Sequence, residues 1–352
     1  MANKRGIVMF AHNNEQIDYL SLAVTNSLLA QKNMGLDRSQ VTIVTDKHSY
    51  KHSAKKLGKE LIESATDNLV FVEKDPEFKY TNIRSYRDTS HTIKDLPFYN
   101  INRCDVYDIT PYDETILIDA DYLILSDSLN QCWSHNNELM MNWQYTDVMS
   151  ERSFDGLDRL SPLGITMYWA TVVYFRKSTY TQSFFELVKH VKDNREYYQD
   201  LYKWRGGIYR NDYSFSIAAH TLGGFTDKAI PELPVPLYKT FDTDDIHQAN
   251  SITDITLFLE KVRSPGDHVL TRWRDVDLHI MNKWAIGRIT ERLLHLLLAD
   301  NKNKPVEKKL TKKKVAKKKM TAKKSTKKKT VKKKTVKKKT VRKKALRKAA
   351  NV

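Results

Sequence analysis

The stretch Glu114-Thr115-Ile116-Leu117-Ile118-Asp119-Ala120-Asp121-Tyr122-Leu123-Ile124-Leu125 sets two apolar runs around a pair of carboxylates. Thr115–Ile118 is short, apolar and rich in β-branched residues, which predicts a core strand. Tyr122–Leu125 reads as a resumption of that strand beyond the break. Upstream, Gly6–Ala11 is a run of the same kind and feeds the polar loop His12-Asn13-Asn14. Val41–Thr45, closed by Asp46, predicts another strand, and Leu69–Val72 a further one. Between them, Ile17–Gln31 carries Leu20, Ala23, Val24 and Leu28 at helical spacing. Ser53–Ser64 reads as a helix, and Asp105–Ile109 as the end of another, stopped before Pro111.

Strands alternating with helices predict an α/β, Rossmann-like fold with a mainly parallel central sheet. In such sheets ligands collect beyond the C-terminal strand ends, where Ala11-His12-Asn13, Thr45-Asp46 and Asp119-Ala120-Asp121 all fall. The second half is less regular. Thr171–Phe175 predicts a strand, Gln182–Val191 a helix, and Tyr213–Leu222 a helix with Asn211 or Asp212 near its N-cap. Pro231, Pro234 and Pro236 mark a loop. Ile286, Ile289, Leu293, Leu296 and Leu297 form one apolar face of a final helix.

The chain has 352 residues and a net charge of +18, unevenly spread. Residues 302–352 hold 26 Lys and Arg against one acid, Glu307, whereas residues 1–301 hold 34 basic and 41 acidic residues. A mildly acidic globular domain over 1–301 with a basic tail over 302–352 is the expected organisation. Thirty-six aromatic residues, almost all in the body, can form a substantial core. Two cysteines, Cys104 and Cys132, exclude a disulfide scaffold or a Cys-rich zinc site and fit a reducing, cytoplasmic compartment. No apolar run reaches membrane-spanning length. Lys4-Arg5 ahead of Gly6–Ala11 has the outline of a signal peptide, but the apolar part is too short and a first core strand is the better reading.

Two carboxylates at a break between apolar runs repel one another unless something neutralises them. A divalent cation would do so, and oxygen ligands suit Mg²⁺ or Mn²⁺. A turn carrying two solvated acids is the plainer alternative. Asp46 reads as a strand-end turn, Arg103 as a partner for Asp119 or an ordinary helix-surface residue, and Asp212 as a base or a capping residue.

Taken together, these segments resemble the GT-A-fold nucleotide-sugar-dependent glycosyltransferases, especially glycogenin-like members of family eight and similar phage-borne DNA-modifying enzymes. The resemblance runs from about Gly6 to Ile286. It rests on the loop Phe10-Ala11-His12-Asn13-Asn14, the strand ending at Asp46, Asn102-Arg103, Asp119-Ala120-Asp121, Asn211-Asp212 and Asp277-Leu278-His279-Ile280-Met281-Asn282-Lys283. Where the family usually reads Asn-Ser/Ala-Gly-Val, this chain has Ala170-Thr171-Val172-Val173. The family's usual Gly is missing between His279 and Lys283. The resemblance implies a metal held by Asp119, Asp121 and His279, with the nitrogen ligand favouring Mn²⁺ over Mg²⁺. It implies donor contacts from Ala11, His12, Asn13, Asn14, Asp46, Arg103, Asp119, Ala120 and Lys283, and catalytic roles for Arg103, Asp212 and Lys283. The chemistry is transfer of a sugar from a nucleotide-sugar donor. Negative charge grows on the β-phosphate oxygen of the leaving diphosphate, and the metal and Lys283 oppose it.

The tail contains three near-copies of Lys-Lys-Lys-Thr-Val, placing Lys327, Lys328, Lys329, Lys332, Lys333, Lys334, Lys337, Lys338 and Lys339 in a period of five. That period matches neither helix nor strand, so no face can bury and disorder is expected. Such density of positive charge points to a polyanion, DNA above all. A solubilising tail, an anionic-membrane tether and a localisation signal are alternatives. Joined to the body, the tail suggests a hydroxymethylated base in DNA as acceptor, with a glycan or protein acceptor, or a non-enzymatic DNA-binding role, as the other readings.

Overall fold

A computed structural model describes residues 4–72, 83–85, 95–97, 99–149, 152, 158–161, 164–204, 209–262, 264 and 266–303. Residues 1–303 form one compact unit. The tail lysines proposed above lie outside the described residues.

In chain order the elements begin with β1 (Arg5–Phe10), α1 (Tyr19–Asn33), β2 (Val41–Thr45), α2 (Lys47–Leu57), α3 (Lys59–Ala65) and β3 (Asn68–Phe71). They continue with β4 (Ile83–Ser85), β5 (Asp95–Pro97), α4 (Val106–Ile109), β6 (Glu114–Asp119), β7 (Tyr122–Leu123), β8 (Leu139–Asn142) and β9 (Thr146–Asp147). The second half supplies β10 (Trp169–Arg176), α5 (Thr179–Asp193), α6 (Arg195–Tyr202), α7 (Asn211–Leu222), β11 (Tyr238–Lys239), β12 (Asp245–Ser251), β13 (Asp254–Glu260), β14 (His268–Arg274), β15 (Leu278–His279) and α8 (Lys283–Asn303).

The α/β class with a mainly parallel central sheet is observed. That sheet has six strands in the order β3-β2-β1-β6-β10-β8. Its first four strands are parallel, and β10 and β8 add two antiparallel pairings. Residues along each inner strand alternate between two cores, as a sheet covered on both faces requires. Ile7, Met9, Ile43, Ile116 and Ile118 face a cluster that includes Leu20 and Ala23 of α1 and Ile286 and Leu293 of α8. Val8, Phe10, Val44, Leu117, Val173 and Phe175 face the cluster that holds Phe184 of α5 and Phe215 of α7. Register sets Phe10 beside both Val44 and Asp119. The three loops expected at one edge of the sheet therefore share that edge.

Three expectations are corrected. Tyr122–Leu125 does not resume β6: only Tyr122–Leu123 is a strand, and it pairs with β15 in a separate four-stranded sheet, β7-β15-β11-β9. The predicted helix over Ser53–Ser64 is two helices, parted at Gly58, whose φ of 83° lies in the region glycine favours. Neither Asn211 nor Asp212 caps α7: the N-cap position is Arg210 and no side chain caps it. Beyond these, β12, β13 and β14 form an antiparallel three-stranded sheet for which the sequence reading held no expectation.

Gly6 lies where β1 passes Tyr112 and the Gln40 backbone. A Cβ built there would stand 2.4 Å from Tyr112 Cζ and 2.5 Å from the Gln40 carbonyl oxygen. Gly6→Ala is expected to lower stability by about 1–3 kcal/mol, the usual cost of overpacking, measured by urea unfolding of the two proteins at equal m-value.

Candidate metal and diphosphate site

The residues Asp119-Ala120-Asp121 cross from the central sheet to the smaller one. Asp119 ends β6, and Asp121 immediately precedes β7. β7 pairs antiparallel with β15, which sets His279 directly opposite Tyr122. The Ile280 amide donates to the Asp121 carbonyl at 3.1 Å and tightens the junction. One potential ligand atom from each of Asp119, Asp121 and His279 lies within 4.8 Å of the others.

Two cations flank this trio. Lys283 opens α8 behind Asn282, whose Oδ1 accepts from the Trp284 and Ala285 amides. Its Nζ donates to Asp121 Oδ2 at 2.5 Å and to the Ile280 carbonyl at 3.0 Å. Arg103 donates from Nη1 to Asp119 Oδ1 at 2.6 Å and from Nη2 to the Thr171 carbonyl at 3.3 Å. Burial alone would raise the Asp121 carboxyl, but Lys283 and then His279 outweigh it and hold the group well below the usual carboxylate range. Asp119 moves the other way, raised by burial and by Asp121 against the pull of Arg103. One quarter of its side chain stays exposed, so Asp119 is the member of the pair that faces the open edge.

The donor set fits a divalent cation. Asp121 Oδ1 is buried and has no hydrogen-bond partner, although His279 Nε2 lies 3.3 Å away. Two carboxylates and one imidazole are the oxygen-rich, mixed set that Mn²⁺ or Mg²⁺ accepts.

The remaining predicted residues divide by what already occupies their polar atoms. Ala11 is tied to β2 by its amide, which donates to Val44, and by its carbonyl, which accepts from Thr45 Oγ1. Asn13 gives its side-chain N–H groups to Asp18 and Ser53 and accepts from the Leu20 amide. Asn14 Oδ1 accepts from the Gln16 and Ile17 amides, closing the turn into α1. Asp46 is the N-cap of α2, accepting from the Ser49 amide and hydroxyl. His12 Nδ1 lies 3.4 Å from Asn100 Oδ1. These groups shape the edge of the sheet. Asp212 is held by the Ala170 amide on one oxygen and by Arg210 on the other. Burial would raise its pKa, but Arg210 and the Ala170 amide lower it overall, so it is ionised at neutral pH.

Two residues with structural weight were not singled out from sequence. Asp277, buried, accepts from the Leu125 and Ser126 amides at 2.8 Å and from the Ser126 and Ser128 hydroxyls at 2.9 and 3.0 Å. It fastens the segment after β7 to the strand that carries His279. Lys239, fully buried on β11, lies in register with His279 on one side and Asp147 on the other. Its Nζ stands 4.2 Å from the Tyr145 ring centre and 4.3 Å from that of Trp169. Burial pushes its ammonium well below the ordinary lysine range, with Arg210 adding to the fall. Asp277 sits inside the quoted motif, but a lysine on a two-residue strand leaves no sequence signal.

No model of a known protein family matches the sequence, and no curated protein matches it. Among solved structures, the chain is similar to a galactosyltransferase, LgtC, in complex with donor and acceptor sugar analogues. The two are 13% identical, with 84% of this chain and 95% of that chain covered and a TM-score of 0.42. It is also similar to mouse xyloside xylosyltransferase 1, at 14% identity, 60% and 80% coverage and a TM-score of 0.36. A third similarity is to the glycosyltransferase GlyE of Streptococcus pneumoniae, at 13% identity, 66% and 45% coverage and a TM-score of 0.36. Likenesses this partial carry no weight for activity or substrate.

Asp277→Ala takes the acceptor from one buried donor, the Leu125 amide, and from three partly buried ones, the Ser126 amide and the Ser126 and Ser128 hydroxyls. It is expected to destabilise the fold by on the order of 1–3 kcal/mol, read from the shift in denaturant midpoint. Ser128→Ala, which removes one contact to Asp277 and one to the Ser126 hydroxyl but leaves the other three Asp277 contacts in place, should cost less.

Proposed function

We propose that this chain is a divalent-metal-dependent glycosyltransferase that uses a nucleotide-sugar donor. The observation that carries the reading is the convergence of Asp119, Asp121 and His279 within 4.8 Å, flanked by Lys283 and Arg103, at the C-terminal edge of the parallel strands. This is the set that the resemblance to GT-A enzymes implies, assembled from segments more than 150 residues apart. Asp121, His279 and Asp119 would hold the cation, which supplies a Lewis acid for the diphosphate oxygens.

The chain's own side chains account for the rest. Lys283 brings a positive charge to within 2.5 Å of Asp121, close enough to serve the same phosphate oxygens. Arg103 keeps Asp119 oriented and offsets part of the rise that burial and Asp121 impose on its carboxyl. Asp212, anchored by Arg210 and the Ala170 amide, puts a fixed negative charge near this edge, suited to a sugar hydroxyl. The imidazole tilts the choice of metal towards Mn²⁺.

The acceptor in this reading is a hydroxymethylated base in DNA. Its support is the composition of residues 302–352, with 26 basic residues and one acid, a footprint for phosphate neutralisation. Tethering would raise the local concentration of acceptor without reading sequence, and a base within a duplex would need to be exposed to reach the donor. Among the described residues no helix is long and apolar enough to cross a membrane.

Nucleotide sugar with Mn²⁺ should raise the thermal unfolding midpoint of the wild-type chain, since a ligand at 100 times its Kd stabilises by about 2.7 kcal/mol. Chelation should remove the shift, and Asp121→Ala should show neither the shift nor sugar transfer. Full transfer by Asp121→Ala would refute the site, and a wild-type chain that never hydrolyses or transfers from any donor would favour the non-enzymatic reading.

Deleting residues 302–352 should weaken transfer to hydroxymethylated DNA while sparing donor hydrolysis. The intact chain should bind DNA with log K falling against log salt at a slope near −9 if about ten phosphates are engaged. Labelled sugar that reaches glycans but not DNA would overturn the acceptor.

A further inference from the structure

Thr171 lies on β10, buried, at the position where the resembled family usually has Ser or Ala. It touches both sides of the metal and diphosphate site. Its hydroxyl Oγ1 stands 3.4 Å from His279 Nδ1. Its carbonyl accepts from Arg103 Nη2 at 3.3 Å, and the same guanidinium donates to Asp119 at 2.6 Å. The other ring nitrogen of His279, Nε2, faces Asp121 Oδ1 at 3.3 Å. One residue thus borders the nitrogen ligand directly and one of the oxygen ligands through Arg103.

We infer that Thr171 is a positioning residue for the cluster, its hydroxyl fixing the His279 ring so that Nε2 presents its lone pair beside Asp121. The chemistry follows from the two nitrogens. An imidazole that binds a cation through Nε2 keeps its proton on Nδ1. That N–H, inside a buried site, needs an acceptor, and the Thr171 hydroxyl is the group at hand. Partners of this kind set tautomer and ring orientation, and their loss typically costs 10- to 100-fold in metal affinity. The carbonyl contact to Arg103 is a main-chain feature that any residue at 171 would retain. The side-chain role is therefore separable by substitution. The inference rests on the metal-site reading proposed above.

The test uses the full chain and the metal alone. Mn²⁺ binding is followed by electron paramagnetic resonance for wild type, Thr171→Val and Thr171→Ser, with unfolding midpoints recorded for each. Thr171→Val keeps the shape and removes the hydroxyl, so its Mn²⁺ Kd should rise by about 10-fold or more. Thr171→Ser keeps the hydroxyl and should stay within about 2-fold of wild type. Valine that binds Mn²⁺ as tightly as wild type, or serine weakened as much as valine, would overturn the inference. A wild-type chain that binds no Mn²⁺ would overturn the metal site and this inference together. Should Thr171→Val not fold, the ¹⁵N shifts of His279 in the Mg²⁺-loaded wild-type chain decide: a proton on Nδ1 supports the role, and a proton on Nε2 refutes it.

Discussion

A carboxylate sunk into a protein interior must be met by opposite charge, and in this chain that demand falls hardest on Asp121. It is buried beside a second acid, Asp119, in a setting where the two repel. The answer comes from the far end of the compact unit. Lys283 is turned back by its place at the start of α8, and His279 is delivered by a two-residue strand. Neither arm would arrive without the register of β7 against β15, and Asp277 locks that register by drawing in four donors from residues 125–128. Packing, hydrogen bonding and electrostatics thus converge on one short backbone junction.

That junction joins two sheets. Asp119 belongs to the end of the six-stranded sheet, and Asp121 leads into the four-stranded one. The loops after β1 and β2 form the neighbouring rim, but their side chains are engaged locally: Asn13 and Asn14 bond to α1 and its approach, and Asp46 caps α2. A ligand along this edge would therefore meet charge chiefly from Arg103, Lys283 and the acids between them. The rim supplies shape and backbone more than free side-chain donors.

The central sheet was legible because burial on both faces removes the need for polar residues, so β1, β2 and β6 read as unbroken apolar runs. The paired acids were legible for the opposite reason, since charge is conspicuous between such runs. The rest was hidden by length and by context. β7, β11 and β15 have two residues each, too few to display a period of two. Strand β12, Asp245–Ser251, is mostly polar and lacks an apolar stripe. Gly58 splits a helical pattern that looks continuous when only apolar spacing is counted. The Thr171 partner of His279 could not be read, because a threonine within an apolar strand resembles any other β-branched core residue until its neighbour across the chain is known. Asp212 shows the converse: its position at a helix start suggested a cap, and a long-range contact to the Ala170 amide with a local one to Arg210 took its carboxylate instead.

The latch formed by Asp277 has a bearing on how the molecule comes into being. Its carboxylate meets the amide of Leu125, 152 positions earlier in the chain, so the closure joins segments made far apart in time during synthesis. The parallel strands β1, β2, β3 and β6 have all been made long before Lys283 emerges from the ribosome. Until then Asp121 lacks the countercharge that justifies its place. The site therefore cannot be complete until residues 277–283 have been made, and its contacts must repay the entropy of closing a long loop.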